Sequence, residues 1–114
     1  MANVPPEMGD MVKRFQQLQQ QLQVLMFQKQ NIQVQQAEVE NALKEITGSK
    51  DKELYEIIGT VMIKRTRSEL KKSLKGKNEI MELRLSTLDK QINSITEQVR
   101  KVQNSLMEMS KPRG

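Results

Sequence analysis

Apolar residues recur at alternating steps of three and four in the first third of the chain and again in the last third. This spacing places them along one stripe of an α-helix, as in the a and d positions of a coiled coil. Two long helices are therefore predicted, over about residues 6–47 and 77–110. The first stripe comprises Met8, Met11, Phe15, Leu18, Leu22, Leu25, Ile32, Val39, Leu43 and Ile46, and the second comprises Met81, Leu85, Leu88, Ile92, Ile95, Val99, Val102, Leu106 and Met109.

The middle of the chain, LYEIIGTVMIKRT, changes from helical spacing to strand-forming residues. Such residues stand on both sides of Gly59, whose freedom in φ suits the reversal of a hairpin. A β-hairpin is predicted over residues 54–65, after a loop over 48–53 in which Gly48 caps the first helix. The hairpin residues singled out are Tyr55, Ile57, Ile58, Gly59, Val61, Met62 and Ile63.

A short helix is predicted directly after the hairpin, over residues 67–75. Thr66 and Glu69 have the spacing of a capping box, which marks the start of a helix. Gly76 is expected to separate this short helix from the second long one. Pro112 cannot continue a helix, so residues 111–114 are predicted to form a tail.

The two long stripes are similar in length, and the simplest partner for each is the other, folded back as an antiparallel pair. The predicted fold class is mainly α: one domain over residues 1–114, a long antiparallel two-helix coiled coil with a central β-hairpin. Two registers are open, with Leu25 opposite either Ile92 or Val99. Both leave Lys29 and Gln36 facing apolar residues, so the Lys29 ammonium is expected to reach outward. The chain termini are expected at one end of the rod and the hairpin at the other.

The hairpin has no sheet to join within its own chain, and both of its faces carry apolar groups. An isolated two-stranded hairpin is marginal in water, and its edges invite pairing with other strands. One interpretation is a small cap folded over the helix ends. The favoured interpretation is an oligomerisation element, in which several copies pool their hairpins into a shared sheet or barrel.

Composition narrows the function. The sequence has no Cys and no His, which removes disulfides, thiolate metal sites and the commonest acid–base residue. We therefore expect neither an enzyme nor a cofactor. The first residues do not have the pattern of a signal peptide, and the apolar stretch IIGTVMI is too short to span a bilayer. A cytoplasmic protein without a membrane partner is predicted.

The net charge of +5 raises the question of nucleic acid binding. Basic residues crowd positions 64–77, but Gly76 separates this segment from the heptads, unlike the continuous helix of a basic zipper. Single-strand binding favours stacking aromatic residues, and Tyr55 is the one candidate nearby. We therefore predict a solvated basic face and no nucleic acid partner.

Methionines gather near both chain termini, which the antiparallel pair brings together. Methionine is flexible and polarizable, so such a surface accepts many shapes of apolar partner. Coiled-coil ends fray, and an exposed apolar tip suits the transient capture of unfolded chains. The predicted tip residues are Met8, Met11, Met107 and Met109, with Lys111 and Arg113 beside them as a weak electrostatic contact for an acidic partner.

This order of elements resembles the β subunits of archaeal prefoldin. The residues that carry the resemblance are QQLQQQLQ and QKQ in the first helix, LYEIIGTVMIKRTRSEL in the middle and LRLSTLDKQ in the second helix. The resemblance implies a hexamer of two α and four β subunits, in which the hairpins form a β-barrel body and the coiled coils hang from it as arms.

It also implies an ATP-independent holdase whose arm tips bind non-native proteins and pass them to a group II chaperonin. On this basis Met8, Met11, Met107 and Met109 would bind clients, and Lys111 and Arg113 would be candidates for chaperonin docking. A coiled-coil adaptor that binds partner helices through its seams, without holding clients, is the alternative.

Overall fold

The computed structural model describes residues 6–50 and 53–111 of the 114-residue chain. Helix α1 spans Pro6–Gly48, strand β1 Leu54–Ile58, strand β2 Val61–Arg65 and helix α2 Arg67–Met109. The two strands form an antiparallel two-stranded sheet. The predicted fold class of two long helices with a central hairpin is therefore confirmed.

The chain divides into two compact units, and each helix contributes to both of them. The first unit contains the described residues up to Lys29 and from Thr87 onward, and the second contains Gln30–Ser86 with the hairpin. In the first unit α1 and α2 run antiparallel, since Arg14 contacts Gln98 and Lys29 contacts Asp89. In the second unit they do so too, since Arg67 contacts Ile46 while Val39 and Met81 line the same depression.

Helix α1 ends differently from the sequence-based prediction. Gly48 is its last residue, and its φ is not positive, so it does not form the left-handed cap that its position suggested. The last turn contains no basic residue of its own. Instead, the guanidinium of Arg67, at the start of α2, donates hydrogen bonds to the carbonyl oxygens of Ile46 (2.9 Å) and Ser49 (2.6 Å). This cation satisfies two carbonyl groups beyond the reach of the helix's own hydrogen bonds and opposes the negative end of its dipole.

Helix α2 is one continuous helix, so the predicted division into helices over 67–75 and 77–110 is wrong. Gly76 lies within it and disfavours a helix by only about 1 kcal/mol relative to alanine. That cost is small beside the packing of Leu70 and Met81, on either side of Gly76, which are 5% and 6% exposed.

The start of α2 forms the predicted capping box. The Thr66 backbone N–H donates to the Glu69 carboxylate at 3.0 Å, and the Glu69 N–H donates to the Thr66 hydroxyl at 3.1 Å. Two N–H groups at the helix start are satisfied reciprocally, which fixes the point at which the chain leaves the hairpin and enters α2.

The first unit distinguishes the two coiled-coil registers. The Lys29 ammonium lies 2.7 Å from the Asp89 carboxylate. This ion pair fits Leu25 opposite Ile92, where Lys29 is level with Leu88. In the other register Lys29 would be level with Ile95, about 9 Å along the helix from Asp89 at 1.5 Å per residue. The Lys29 side chain thus extends outward from the seam as expected, and its ammonium forms an ion pair with a carboxylate.

The second unit contains an unexpected polar residue at a seam position. Asn78 continues the alternating spacing between Leu74 and Met81. Its side-chain oxygen is enclosed and has no hydrogen-bond partner among the described residues. A buried amide at one seam position lowers the stability of a coiled coil and favours a single register, because slippage would move the amide against other apolar residues.

Candidate assembly surface on the hairpin

The hairpin turns through two residues, Gly59 and Thr60. Gly59 has a φ of +60°, and Thr60 does not have a positive φ. A positive φ at the first central position alone is the pattern of a type II′ turn, whose twist matches that of the two strands. A side chain at residue 59 would meet no other atom within 4 Å, so the need for glycine is conformational.

The pairing register assigns the side chains to two faces. Tyr55 pairs with Lys64 and Ile57 with Met62, while Glu56 pairs with Ile63. Because successive side chains of a strand point to opposite faces, Tyr55, Ile57, Met62 and Lys64 share one face. Glu56, Ile63 and Arg65 lie on the other.

The face with Glu56 is attached to α2 by polar contacts. The Ser73 hydroxyl donates to the Glu56 carboxylate at 2.7 Å, and the Arg65 guanidinium lies 3.5 Å from it. Arg65 also lies 3.6 Å from the Glu69 carboxylate. The Glu56 side chain is only 12% exposed, so its charge is compensated in a largely enclosed position.

The contacts at the start of α2 also lower the pKa of one carboxyl group. The pKa of the Glu69 carboxyl lies below its ordinary value of 4.5, mainly because the Thr66 backbone N–H and then the Thr66 side chain stabilise the carboxylate. The positive charge of Arg65 adds to this effect.

The opposite face is exposed and mainly apolar. Ile57 is 67% exposed and Met62 64%, and Tyr55 is exposed beside them. Ile58 and Val61, which flank the turn on the Glu56 face, are exposed as well. Ile63, on the other face, is half-buried. Within the described residues, the sheet also leaves one edge of each strand without a backbone partner. Open edges beside a contiguous apolar surface indicate an interaction site. We call Tyr55, Ile57 and Met62 the hairpin face.

The predicted tip residues belong to the first unit and differ in exposure. Met107 is 59% exposed and Met109 37%, whereas Met8 and Met11 are half-buried. The expectation that all four are exposed therefore holds for the two on α2. Their predicted role in client binding stays a prediction.

Of the two predicted docking residues, the structure describes one. Lys111 is exposed, and its ammonium lies 2.9 Å from the Glu108 carboxylate. Arg113 lies outside the described residues.

The described part of the chain contains neither a candidate metal centre nor a candidate membrane span. It holds no group of three or more acidic side chains placed to bind a metal ion. None of its helices is long and apolar enough to cross a membrane.

Comparisons with known proteins agree with the fold. A family model described as prefoldin subunit matches residues 9–113. The prefoldin subunit beta of Pyrobaculum neutrophilum is 36% identical over all of this chain and 92% of its own length. That of Pyrococcus horikoshii is 34% identical over 98% of this chain and 97% of its own.

Two solved structures are also similar. The crystal structure of the prefoldin beta subunit from Thermococcus strain KS-1 matches with a TM-score of 0.90 and 32% identity, covering 99% of this chain and 100% of that one. The beta2 subunit from the same strain matches with a TM-score of 0.73 and 21% identity, covering 79% of this chain and 97% of that one, which shows a shared fold. With a family model over nearly its whole length and relatives above 30% identity, the chain belongs to the prefoldin subunit family.

Proposed function

We propose that this chain is a β-type subunit of an oligomeric, ATP-independent chaperone that holds non-native proteins without chemical catalysis. Its relatives are named prefoldin subunit beta. The observation that carries the proposal is the hairpin face, whose large apolar side chains lie exposed beside open strand edges. Burying that face requires other chains, since it does not pack against the chain's own helices.

The proposed assembly is a cytoplasmic hexamer of two α and four β subunits with a shared β-barrel at its centre. Pairing of strand edges between chains would satisfy the open backbone groups of the hairpin. Several arms on one body would then hold one client together, and multivalent binding is much tighter than binding by any single arm.

Client capture is assigned to the methionines near the helix ends. Met107 and Met109 are exposed, unbranched and polarizable, which suits weak contact with many apolar sequences. Transfer of the client to a group II chaperonin, with Lys111 and Arg113 as docking residues, completes the proposed cycle.

A double substitution tests the capture step. Met107→Ser with Met109→Ser should weaken suppression of aggregation of a chemically denatured client, measured by light scattering, without changing the mass of the assembly. Met26→Ser is the matched control, because Met26 is an exposed methionine of α1 away from the helix ends. Equal protection by the double variant and the control would refute capture at these methionines.

The adaptor alternative needs seams that are open to a partner helix. Leu18 and Leu88 are buried in the first unit, at 5% and 8% exposure, and Lys29 is paired with Asp89. At these positions the seam is occupied within the chain, which leaves less of it open to a partner helix and weighs against the adaptor alternative.

A further inference from the structure

The positive charge of the chain is concentrated in one short segment. Residues 64–77 contain seven basic residues and one acidic residue, a net charge of +6, whereas the whole chain has a net charge of +5. Everything outside this segment therefore has a net charge of −1. Such a one-sided distribution creates a local positive potential that attracts acidic groups.

Some of these cations already have partners. Arg65 pairs with Glu56 and Glu69, and Arg67 donates to the carbonyl groups at the end of α1. Lys71, Lys72 and Lys75 differ, since among the described residues no carboxylate lies within 4.0 Å of their ammonium groups. We call these three residues the lysine face.

The lysine face surrounds a concave part of the α2 surface. Its lysines line a shallow depression of about 880 Å³, together with Ser68 and Gly76. These two residues have little or no side chain, so a partner can approach the helix backbone between the lysines. Glu79 is the one acidic residue that lines the depression.

Hydrogen bonds hold the start of α2, which bears the depression, in place. The capping box holds the first turn of α2, and Arg67 ties that turn to the end of α1. A surface that is already ordered loses less conformational entropy when it binds. The lysines therefore present their charges from a rigid helix.

The chemistry of the depression favours a protein partner over nucleic acid. No aromatic side chain is among its lining residues, and single strands are held largely by stacking on aromatic rings. Three lysines within five residues of one helix also provide a short site, in contrast to the basic groove that follows a nucleic acid backbone. No segment of this sequence is as acidic as residues 64–77 are basic, so a second copy of the chain does not supply the complement.

We propose that the lysine face is a docking surface for an acidic segment, rich in Asp and Glu, of a different protein. This site is separate from the hairpin face and from the tip methionines. Its salt dependence should be marked, because exposed charges are screened over about 10 Å at 0.1 M salt.

A binding titration tests the proposal. A fluorescein-labelled oligo-glutamate peptide is titrated with the full-length protein in low-salt buffer, and binding is followed by fluorescence anisotropy. The triple variant Lys71→Gln, Lys72→Gln, Lys75→Gln should bind about tenfold more weakly, because three exposed ion pairs contribute a factor of about two each. A control variant, Lys44→Gln with Lys90→Gln and Lys101→Gln, removes the same charge from exposed sites elsewhere and should bind within about twofold of wild type.

Two results would overturn the proposal. Equal weakening by both triple variants would show that only net charge matters. Tighter, lysine-face-dependent binding of an oligothymidylate of equal charge would assign the surface to nucleic acid instead. Neither result depends on client holding, so the chaperone proposal is tested separately.

Discussion

At the scale of single residues, polar contacts fix where α2 begins and join it to its neighbours: Thr66 and Glu69 cap its first turn, Arg67 binds the end of α1, and Ser73 binds the hairpin through Glu56. Thr66 and Glu69 are three positions apart, and the motif follows from that distance alone. Arg67 and Glu56 also help to position the elements, but their partners lie up to 21 residues away in the sequence. A heptad pattern contains no information on such pairs, although the lack of a basic residue in the last turn of α1 was a usable signal.

Glu69 should make the start of α2 sensitive to acid. Its pKa is lowered in the folded protein, so its stabilising contribution is present above the ordinary value of 4.5 and is lost as the pH falls through the lowered pKa. Between about pH 6 and about pH 3, the urea midpoint of the wild-type protein should fall more than that of Glu69→Gln. Parallel decreases in the two proteins would show that the carboxylate does not stabilise the fold.

Arg67 should stabilise the fold through the end of α1. Arg67→Met keeps much of the apolar stem but removes the donors to the Ile46 and Ser49 carbonyl groups. Hydrogen bonds to charged groups are worth about 1.5–3 kcal/mol, so we expect the free energy of unfolding to decrease by about 2 kcal/mol. Arg100→Met, at an exposed position in α2, is the control and should change it by less than about 0.5 kcal/mol. Similar losses in the two variants would contradict the capping role.

At the scale of elements, two glycines have different structural roles that the sequence alone does not distinguish. From the sequence, Gly59 is expected to reverse the chain and Gly76 to separate two helices. Gly59 has a positive φ and does reverse the chain, whereas Gly76 lies inside a continuous helix. Local composition is ambiguous here, because packing on either side of a glycine decides whether the helix continues.

The two glycines should respond oppositely to alanine. Gly59→Ala imposes a left-handed conformation on an L-residue and should destabilise the chain by about 1–2 kcal/mol. Gly76→Ala should stabilise it by up to about 1 kcal/mol, because a Cβ there meets nothing within 4 Å. Thermal unfolding followed by circular dichroism measures both, and a loss of stability in Gly76→Ala would contradict the continuous helix.

At the scale of the whole molecule, the sequence predicts the order of the elements and a hairpin that has no further strand of its own chain to pair with. The heptad pattern identifies the helices because its spacing is repeated many times along the chain. The hairpin is recognised because its residues are strand-forming and lack that spacing. The apolar stripes alone leave the coiled-coil register open, since both alternatives bury similar apolar residues. It is distinguished by the pair of Lys29 with Asp89, which depends on positions outside the apolar stripe.

The hairpin face links the fold to the proposed function. Its apolar side chains are exposed in the single chain, and the arms can act together only if several chains share one body. Assembly through this face is therefore the central claim, and client holding depends on it.

The most direct test is the mass in solution, measured by light scattering after size exclusion, for the chain alone and with a candidate α subunit. We expect a discrete oligomer for the wild type and dissociation for Ile57→Ser with Met62→Ser. Leu83→Ser, which changes an exposed leucine of α2 away from the hairpin, should leave the mass unchanged. A wild-type monomer under both conditions, or an unchanged oligomer in the hairpin variant, would contradict assembly through the hairpin face.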